Sequence, residues 1–383
     1  MSLTVLINAG PWLPVPPEGY GGIENIVATL VPQLRRRGVR VVLATVADSR
    51  ITVEKRISVF PHGQFAHLQE PYNRVSGITH AHLQRVTAEL RGHRGIDLVH
   101  DHVEVVGPSS LSAMGNDAPP TLHTLHWDLR KHHEFYSRFD GGGRLWVNGV
   151  SAAQLACAPS ALRAHSVGHV HLATPLAEDA HRRCPPHKGK HLVVLGRITR
   201  NKGQHVAARV AEKLDLPLVL AGPVGPFHDA DALSTALATD PSIAQNPDVR
   251  YWCDEVASAV DGERVRWVGT VRGAVLERLL STARAALFPI LWDEPGGTAV
   301  VESLALGTPV VGFARGCLPE LVEPGRTGVL AEPDDEDQLA ESVLECDRVD
   351  PAACALAAAR RFTPAVMAER YLQLYQEVLA RSA

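Results

Sequence analysis

The feature that most constrains the fold is an alternation of short apolar runs with longer segments of helical period. The runs of the first half are LTVLINA, VRVVLAT, DLVHDH, PTLHTLH and LWVNGVS, and those of the second half are LVVLGRI, LPLVLAGP, RVRWVGT, AALFPI and TPVVGFA. Strands separated by helix-length segments form βαβ units, so this pattern predicts parallel sheets covered on both faces by helices. The predicted helices are 24–37, 204–214, 274–283, 298–306, 335–346 and 363–381.

The series of strands begins again near residue 190, which predicts two α/β domains, each doubly wound. A chain of 383 residues exceeds the usual size of one domain. The stretch AEDAHRRCPPHKGK, residues 177–190, has prolines, charges and no apolar period, and we interpret it as a linker. The predicted domains are therefore 1–176 and 191–362.

Composition narrows the classes of partner and the compartment. The net charge of −4 lacks the surplus of Lys and Arg that nucleic-acid binding needs. The sequence begins with MSLTVLINA, which we interpret as a first strand and not as a signal peptide, and no apolar window is long enough to cross a bilayer. The six cysteines lack paired CxxC spacing, so we expect free thiols and a cytoplasmic protein. No feature specifies an oligomeric state.

Two further groups of residues have a functional and a structural interpretation. The basic run Arg35, Arg36, Arg37 and Arg40 could contact anionic lipid or an acidic acceptor, but charge complementarity at a helix C-terminus is favoured, and we expect no membrane association. The 19 histidines include close pairs, yet no ligand set repeats on one helix face. We therefore expect no metal site.

In open α/β sheets the ligand lies beyond the carboxyl ends of the strands, so the functional residues are expected there. After the first strand, PPEGYGGIEN places Gly21 and Gly22 before the helix that begins near Glu24. Glycine there lets a ligand approach the backbone, and helix amides face an anion. A simple turn between strand and helix is an equal alternative.

The stretch LGRITRNKG follows the first strand of the second half. Gly196 ends the strand, and Arg197 and Lys202 lie five positions apart across a turn. Arginine binds phosphate oxygens in a bidentate manner and lysine acts as a point charge, so the pair suits a diphosphate. Exposure to solvent is the structural alternative.

The stretch EPGGTAVVE follows the strand AALFPI. Glu294 is predicted in the turn and Glu302 on the helix, whose apolar neighbours make a solvated carboxylate a poor interpretation for Glu302. For Glu294, charge complementarity to the helix N-terminus is the structural alternative. A carboxylate can accept two vicinal ribose hydroxyls. The amides of Gly296, Gly297 and Thr298 are available for phosphate.

The stretch TLHWD, residues 124–128, places His126 at another strand end. Its imidazole could donate a hydrogen bond to a substrate hydroxyl or transfer a proton, and a packed histidine is an equal alternative. His100 and His102, at a neighbouring strand end, could line the same crevice.

Taken together, YGGIE, GRITRNKG, EPGGTAVVESLALGTPVVGFARGCLPELV and GRTGVLAEPDD resemble the retaining glycosyltransferases of family 4, which have the GT-B fold. PPEGYGGIE, VHDH and the EPGG form also resemble an actinobacterial antibiotic-pathway subgroup that includes the enzyme of avilamycin biosynthesis. The resemblance implies two Rossmann-like domains facing across a cleft, with helix 363–383 returning to the N-terminal domain. The N-terminal domain would bind the acceptor and the C-terminal domain the nucleotide sugar.

The resemblance also implies roles for these residues. Arg197 and Lys202 would neutralise the diphosphate, Glu302 would bind the ribose, and Glu294 and His126 would contact the donor sugar. The remaining donor-binding candidates are Gly21, Gly22, Gly196, Gly296, Gly297 and Thr298, with residues 316–320 as the pocket floor, and the acceptor-binding candidates are Glu24, His102 and Trp127. The chain departs from the family at Gly296-Gly297, where Phe-Gly is usual, and at Cys317, where glycine is usual.

The expected reaction is transfer of a hexose from a nucleoside diphosphate sugar, with UDP favoured over GDP, to a small-molecule or glycan acceptor. Front-face attack is favoured over double displacement, and neither a cofactor nor a metal is required, because the cations would stabilise the leaving group. A sugar-nucleotide 2-epimerase of the same fold and a non-catalytic nucleotide-sugar-binding protein are the alternatives. We expect the acceptor to be bound by N-terminal loops, namely residues 11–20 and 61–82.

Overall fold

The computed structural model describes residues 2–18, 21–92, 95–180 and 188–383. The chain forms two compact units, of which the first combines Met1–Ala173 with Pro364–Ala383 and the second is Thr174–Thr363. The proposed linker 177–190 begins inside the second unit, and its residues 181–187, including Cys184, lie outside the described residues.

The first unit contains a seven-stranded parallel sheet with the strand order β3-β2-β1-β4-β5-β6-β7. Its strands are β1 (Thr4–Asn8), β2 (Arg40–Ala44), β3 (Lys55–Ile57), β4 (Leu98–Asp101), β5 (Thr121–Thr124), β6 (Leu145–Gly149) and β7 (Ser166–His169). Its α-helices are Gly22–Arg36, Tyr72–Gly92, Val106–Ser112, His133–Tyr136, Ala152–Ala156, Ser160–Arg163 and Pro364–Arg381. The order reverses between β1 and β4, where such sheets bind ligands at the carboxyl ends.

The last helix, Pro364–Arg381, completes the core of the first unit. Met367, Tyr371, Tyr375 and Val378 recur at helical spacing and are all buried. This helix packs against the helix Gly22–Arg36 and against β5 and β7. The return of the C-terminal helix to the N-terminal domain is therefore confirmed.

The second unit contains a six-stranded parallel sheet with the order β10-β9-β8-β11-β12-β13. Its strands are β8 (Leu192–Leu195), β9 (Leu218–Ala221), β10 (Val265–Trp267), β11 (Ala285–Phe288), β12 (Val310–Phe313) and β13 (Gly328–Ala331). Its α-helices are Gln204–Lys213, Ala230–Thr239, Pro247–Tyr251, Gly273–Ser281, Thr298–Ala305, Leu318–Leu321, Glu336–Glu345 and Pro351–Arg361. The order reverses between β8 and β11. The predicted doubly wound α/β architecture is confirmed in both units.

The interpretation of residues 61–82 as loops is wrong from Tyr72 onward, because Tyr72–Gly92 is a helix. Its buried face mixes Ile78, Leu83 and Val86 with polar His82 and Glu89, which weakens the apolar period. The sequence also did not predict β3, β7 and β13, which lie at sheet edges. β3 and β7 lack an apolar run because most of their residues are exposed or half-buried.

Other expectations concern single side chains. The five cysteines in the described parts of the chain, Cys157, Cys253, Cys317, Cys346 and Cys354, are free thiols. Within the basic run, Arg35 pairs with Glu54 at 3.1 Å, and Arg37 donates to the carbonyl of Ala365 at 3.2 Å. No helix in the described ranges combines the length and the apolar character that spanning a bilayer requires.

Candidate active site

In the second unit, the loops that follow β8 and β11 are in direct contact. Gly203, at the end of the β8 loop, has φ 70°, and a Cβ there would lie 2.0 Å from the carbonyl oxygen of Pro289. The amide of Leu291 also donates to the carbonyl of Asn201 at 2.9 Å. Glycine at position 203 therefore permits the approach that brings Lys202 to the β11 loop.

Lys202 and Glu294, both predicted as site residues, form an ion pair. The Nζ atom of Lys202 lies 2.5 Å from Oε2 of Glu294. Trp292 donates from Nε1 to the same oxygen at 3.0 Å, and the ammonium group lies 5.9 Å from the centre of the Trp292 ring. Two donors thus fix one carboxylate oxygen. Trp292 was not predicted as a site residue, because its role depends on this side-chain contact.

The backbone of Glu294 is held by the loop after β12. Gly316 has φ 57°, and a Cβ there would lie 2.3 Å from the nitrogen of Glu294. The amide of Cys317 donates to the carbonyl of Glu294 at 2.9 Å, and Cys317 is buried. Residues 316–320, expected to form a pocket floor, therefore support the turn that carries Glu294.

Arg197 lies just after β8, as predicted, but its guanidinium is bound to a different carboxylate. Its NH2 group lies 2.6 Å from Oδ2 of Asp248, which belongs to the helix Pro247–Tyr251. Lys202 and Arg197 thus have separate acidic partners. Gly196, at the end of the strand, has φ 149°.

The helix Thr298–Ala305 begins as predicted after the double glycine. Gly297 precedes it in the left-handed conformation, with φ 60°, and Gly296 is buried whereas Thr298 is exposed. The first amides of a helix have no intrahelical acceptor and are free to bind an anion. The turn therefore presents a helix N-terminus beside Glu294.

Glu302 lies on this helix, and its carboxylate has no hydrogen-bond partner among the described residues. Burial raises the pKa of Glu302 to about 7. A carboxylate in this setting gains when a ligand supplies hydroxyl donors.

In the first unit, His126 follows β5 and contacts His102, which follows β4. Nδ1 of His102 lies 2.8 Å from Nε2 of His126, and Nε2 of His102 is buried with no hydrogen-bond partner in the part of the chain that the structure describes. Burial lowers the pKa of His126 to about 4, although the charge of Glu104 opposes this change. His126 is therefore neutral at pH 7, and it is suited to hydrogen bonding more than to acid catalysis.

Next to these histidines lies a buried cluster of one imidazole and two carboxylates, which was not predicted from the sequence. His123 contacts Oδ2 of Asp101 at 2.6 Å and Oε2 of Glu104 at 3.7 Å. Burial disfavours the imidazolium, but the two carboxylates outweigh it and raise the pKa of His123 to about 9. Burial likewise opposes ionisation of Glu104, yet His123 and the donors Tyr136 and His126 lower its pKa to about 2. Glu104 could have been predicted as a site residue from its position, since it follows β4 as His102 does.

The other candidates of the first unit are placed as follows. Gly22 is the first residue of its helix, Gly21 is the residue before it, and Gly19 and Tyr20 of the same motif lie outside the described residues. Glu24 is buried in the first turn, and burial raises its pKa to about 7. Trp127 is 43% exposed. His100, in contrast, is a core residue whose two nitrogens lie 2.8 Å from Tyr375 and Thr124.

Two family models match the chain, one in each half. Residues 20–165 match the family described as Glycosyltransferase Family 4. Residues 178–346 match the family described as Glycosyl transferases group 1. Together the two matches cover every strand of both sheets except β1 and β7.

Known proteins that are similar to this chain are also glycosyltransferases. The D-inositol 3-phosphate glycosyltransferase of Mycolicibacterium smegmatis is 28% identical over 290 residues, which are 69% of this chain and 62% of that protein. AviGT4, a glycosyltransferase involved in avilamycin A biosynthesis, is 26% identical, with a TM-score of 0.63 and coverage of 99% of this chain and 98% of that one. HepE of Anabaena, in complex with UDP-glucose, has 17% identity, a TM-score of 0.63 and coverage of 98% and 100%, and shares the fold.

Both family models describe glycosyltransferases. The two doubly wound sheets and the Lys202–Glu294 pair at the ends of β8 and β11 are consistent with these matches. The chain belongs to the family 4 glycosyltransferases of GT-B fold.

Proposed function

We propose that the protein transfers a hexose from a nucleoside diphosphate sugar to a small-molecule or glycan acceptor, with retention of configuration. The carrying observation is the cluster of Lys202, Trp292 and Glu294 beside the N-terminus of the helix Thr298–Ala305. A cation and free helix amides suit a diphosphate, and a carboxylate oxygen suits a sugar hydroxyl.

UDP is the nucleotide that we propose for the donor. The neighbour HepE was solved with UDP-glucose, and the proposal extends that nucleotide to this chain. Glu302 binds the ribose hydroxyls, Lys202 and Arg197 bind the diphosphate, and Glu294 binds the sugar. In the first unit, we propose His126 and Gly22 as residues that contact the donor. Glu24, His102 and Trp127 are the residues that we propose for the acceptor.

Front-face attack is the mechanism that the geometry of Glu294 supports. Oε2 of Glu294 already accepts hydrogen bonds from Lys202 and Trp292, which lowers its value as a nucleophile. The acceptor hydroxyl instead attacks the anomeric carbon from the side of the leaving diphosphate. The new carbon–oxygen bond forms as the bond to the phosphate oxygen breaks, and a diphosphate oxygen takes the proton. Lys202, Arg197 and the helix amides stabilise the developing charge.

The test begins with a thermal-shift screen of UDP-, GDP-, ADP- and TDP-sugars. A ligand that binds only the folded state stabilises it by about 2.7 kcal/mol at 100 times its Kd. We expect UDP-sugars to give the largest shift, and failure of all four to shift the melting temperature contradicts the proposal.

Turnover of the selected donor then separates the candidate functions. Wild type is expected to hydrolyse the donor slowly without an acceptor and to release the sugar with its anomeric configuration retained, and Lys202→Ala is expected to reduce this rate. Isomerised nucleotide sugar identifies an epimerase, and binding without any turnover identifies a binding protein.

A further inference from the structure

The turn formed by Leu125, His126 and Trp127, called here the 125–127 turn, carries the His126 side chain at the end of β5. A turn holds a side chain accurately only when its own amides and carbonyls are bonded. In the 125–127 turn, these groups are bonded largely by two buried side chains from neighbouring segments.

Glu104 binds the N–H side of the turn. Its Oε1 accepts from the amide of His126 at 2.8 Å and from the amide of Trp127 at 3.2 Å. Its Oε2 accepts from the hydroxyl of Tyr136 and faces His123. Hydrogen bonds to an ionised acceptor are about twice as strong as neutral ones.

Gln154 binds the C=O side of the same turn. Its Nε2 donates to the carbonyl of Leu125 at 3.1 Å and to the carbonyl of Trp127 at 2.9 Å. Its Oε1 accepts from the amide of Val150 at 2.9 Å, which fixes the orientation of the amide group. The backbone is thus held from two directions by side chains that follow β4 and β6.

The residue after Glu104 adds an independent observation. Val105 has φ 60° and ψ −61°, a conformation that β-branched residues rarely adopt. Such a residue persists only where its surroundings hold it, and it occurs most often near functional sites. The side-chain bonds of Glu104 are among the contacts that hold this segment, together with the backbone bond from the amide of Gly107 to the carbonyl of Val103 at 3.0 Å.

From these contacts we infer that Glu104 and Gln154 are positioning residues, which fix the 125–127 turn so that His126 meets the substrate in one orientation. Neither residue touches the reacting atoms. This inference rests on the proposed function for its kinetic consequence, since His126 is there a donor-sugar contact. Its structural part, the immobilised turn, is independent of the reaction.

Two substitutions test the inference with little change of shape. Gln154→Met leaves the carbonyls of Leu125 and Trp127 without their donor. Glu104→Gln removes the charge that strengthens the bonds to the amides of His126 and Trp127. We expect each variant to lower kcat about tenfold and to change the KM for the donor less than threefold.

Matched controls separate positioning from a loss of stability. Gln33 and Gln154 are both 6% exposed, so Gln33→Met removes a comparable buried amide from the same unit. The side chains of Glu89 and Glu104 are both 4% exposed, so Glu89→Gln neutralises a comparable carboxylate. These controls are expected to lower the melting temperature and leave kcat within twofold of wild type.

A double-mutant cycle with His126→Ala decides whether the two residues act through His126. In that background, Glu104→Gln and Gln154→Met are expected to change kcat less than twofold. A tenfold loss that persists without His126, or an unchanged kcat in both single variants, overturns the inference.

Fluorescence provides a readout that needs no turnover. Trp127 lies in the turn and is 43% exposed. Its fluorescence is obtained by subtracting the spectrum of the same variant that also carries Trp127→Phe. We expect acrylamide to quench Trp127 more strongly in Glu104→Gln and Gln154→Met than in the controls. Equal quenching overturns the immobilised turn, whereas inactivity of wild type with every donor overturns only the proposed function.

Discussion

At the residue scale, the two acids of EPGGTAVVE occupy different surroundings. Glu294 is held by Lys202 and Trp292 at one oxygen, whereas Glu302 has no hydrogen-bond partner among the described residues and a pKa raised to about 7 by burial. The first is oriented before a ligand arrives. Under the proposed function, the ribose hydroxyls supply the partners that Glu302 lacks.

This difference predicts different kinetic effects. Glu302→Ala is expected to raise the Kd for UDP about tenfold, because it removes hydrogen bonds between a charged group and the ribose. Glu294→Ala is expected to lower kcat about 100-fold with little change in the Kd for UDP. Calorimetry and steady-state kinetics measure the two quantities. Loss of nucleotide affinity alone in both variants contradicts separate roles.

The pKa of Glu302 also predicts a pH dependence of binding. In the proposed complex, ribose hydroxyls donate to the ionised carboxylate of Glu302, so the Kd for UDP is expected to fall as pH rises through about 7. In the free protein, the pH dependence of the stability contributed by Glu302 has the opposite sign. A carboxyl with a folded-state pKa above 4.5 stabilises the fold below pH 4.5, and this contribution is lost as pH rises to 7.

Calorimetry of UDP binding from pH 5.5 to 8.5 measures this effect, with Glu302→Gln as the control for the titration of UDP itself. The Kd for UDP is expected to fall more steeply with rising pH in wild type than in Glu302→Gln. Parallel slopes exclude Glu302 as the titrating group.

At the element scale, the glycines of the second unit allow loops to approach one another. Gly316→Ala places a Cβ against the backbone of Glu294 and also disfavours φ 57°. Gly325→Ala disfavours φ 72° in open space. The cost of a positive φ in alanine, roughly 1–2 kcal/mol, is common to both variants. Any further loss of stability in Gly316→Ala therefore measures the clash with the backbone of Glu294.

Urea unfolding and kcat are the measurements for this pair. Gly325→Ala is expected to lose stability and keep its kcat, whereas Gly316→Ala loses more stability and at least tenfold in kcat. Equal effects in the two variants show that Gly316 does not support the Glu294 turn.

The sequence predicted most elements because apolar runs mark buried central strands. Ten strands were predicted from such runs, among them LTVLINA and AALFPI, and the structure contains each of them. Lys55–Ile57 was not predictable in this way because two of its three residues are exposed. The helix Tyr72–Gly92 was missed because buried polar residues interrupt its apolar stripe.

For the candidate site, position relative to a strand end was the informative signal. It identified Lys202, Glu294 and His126, which all follow strands. It did not identify Trp292 or Gln154, because their contacts depend on loops meeting in space. Nor did it show that Arg197 is paired with Asp248, which lies 51 residues further along the chain.

At the scale of the whole molecule, the first unit is discontinuous and the second is continuous. Within the second unit, the amide of Thr174 donates to the carbonyl of Phe362 at 3.0 Å, so the first and last residues of this unit lie close together. The second unit is therefore an insertion in the first. Its own core includes both faces of its sheet.

This organisation predicts how fragments behave. Residues 174–363 alone are expected to unfold cooperatively and to bind UDP. Residues 1–173 alone are expected to aggregate, because the surface that covers Met367, Tyr371 and Tyr375 becomes exposed. Circular dichroism and thermal-shift measurements follow both fragments.

A third fragment is the control, with residues 1–173 joined to 364–383 by a short Gly/Ser linker. We expect this linkage to restore a cooperative transition. Cooperative unfolding of residues 1–173 without the helix contradicts the role assigned to Pro364–Arg381.

The insertion also sets an order of events on the ribosome. The 190 residues of the second unit are synthesised between the first unit's sheet and the helix that completes its core. At about 5–20 residues per second, this interval lasts roughly 10–40 s. During this interval the apolar surface of the first unit stays uncovered, and the second unit completes its core before the first unit does. Chaperone demand during synthesis is therefore expected to fall on the half of the protein that emerges first.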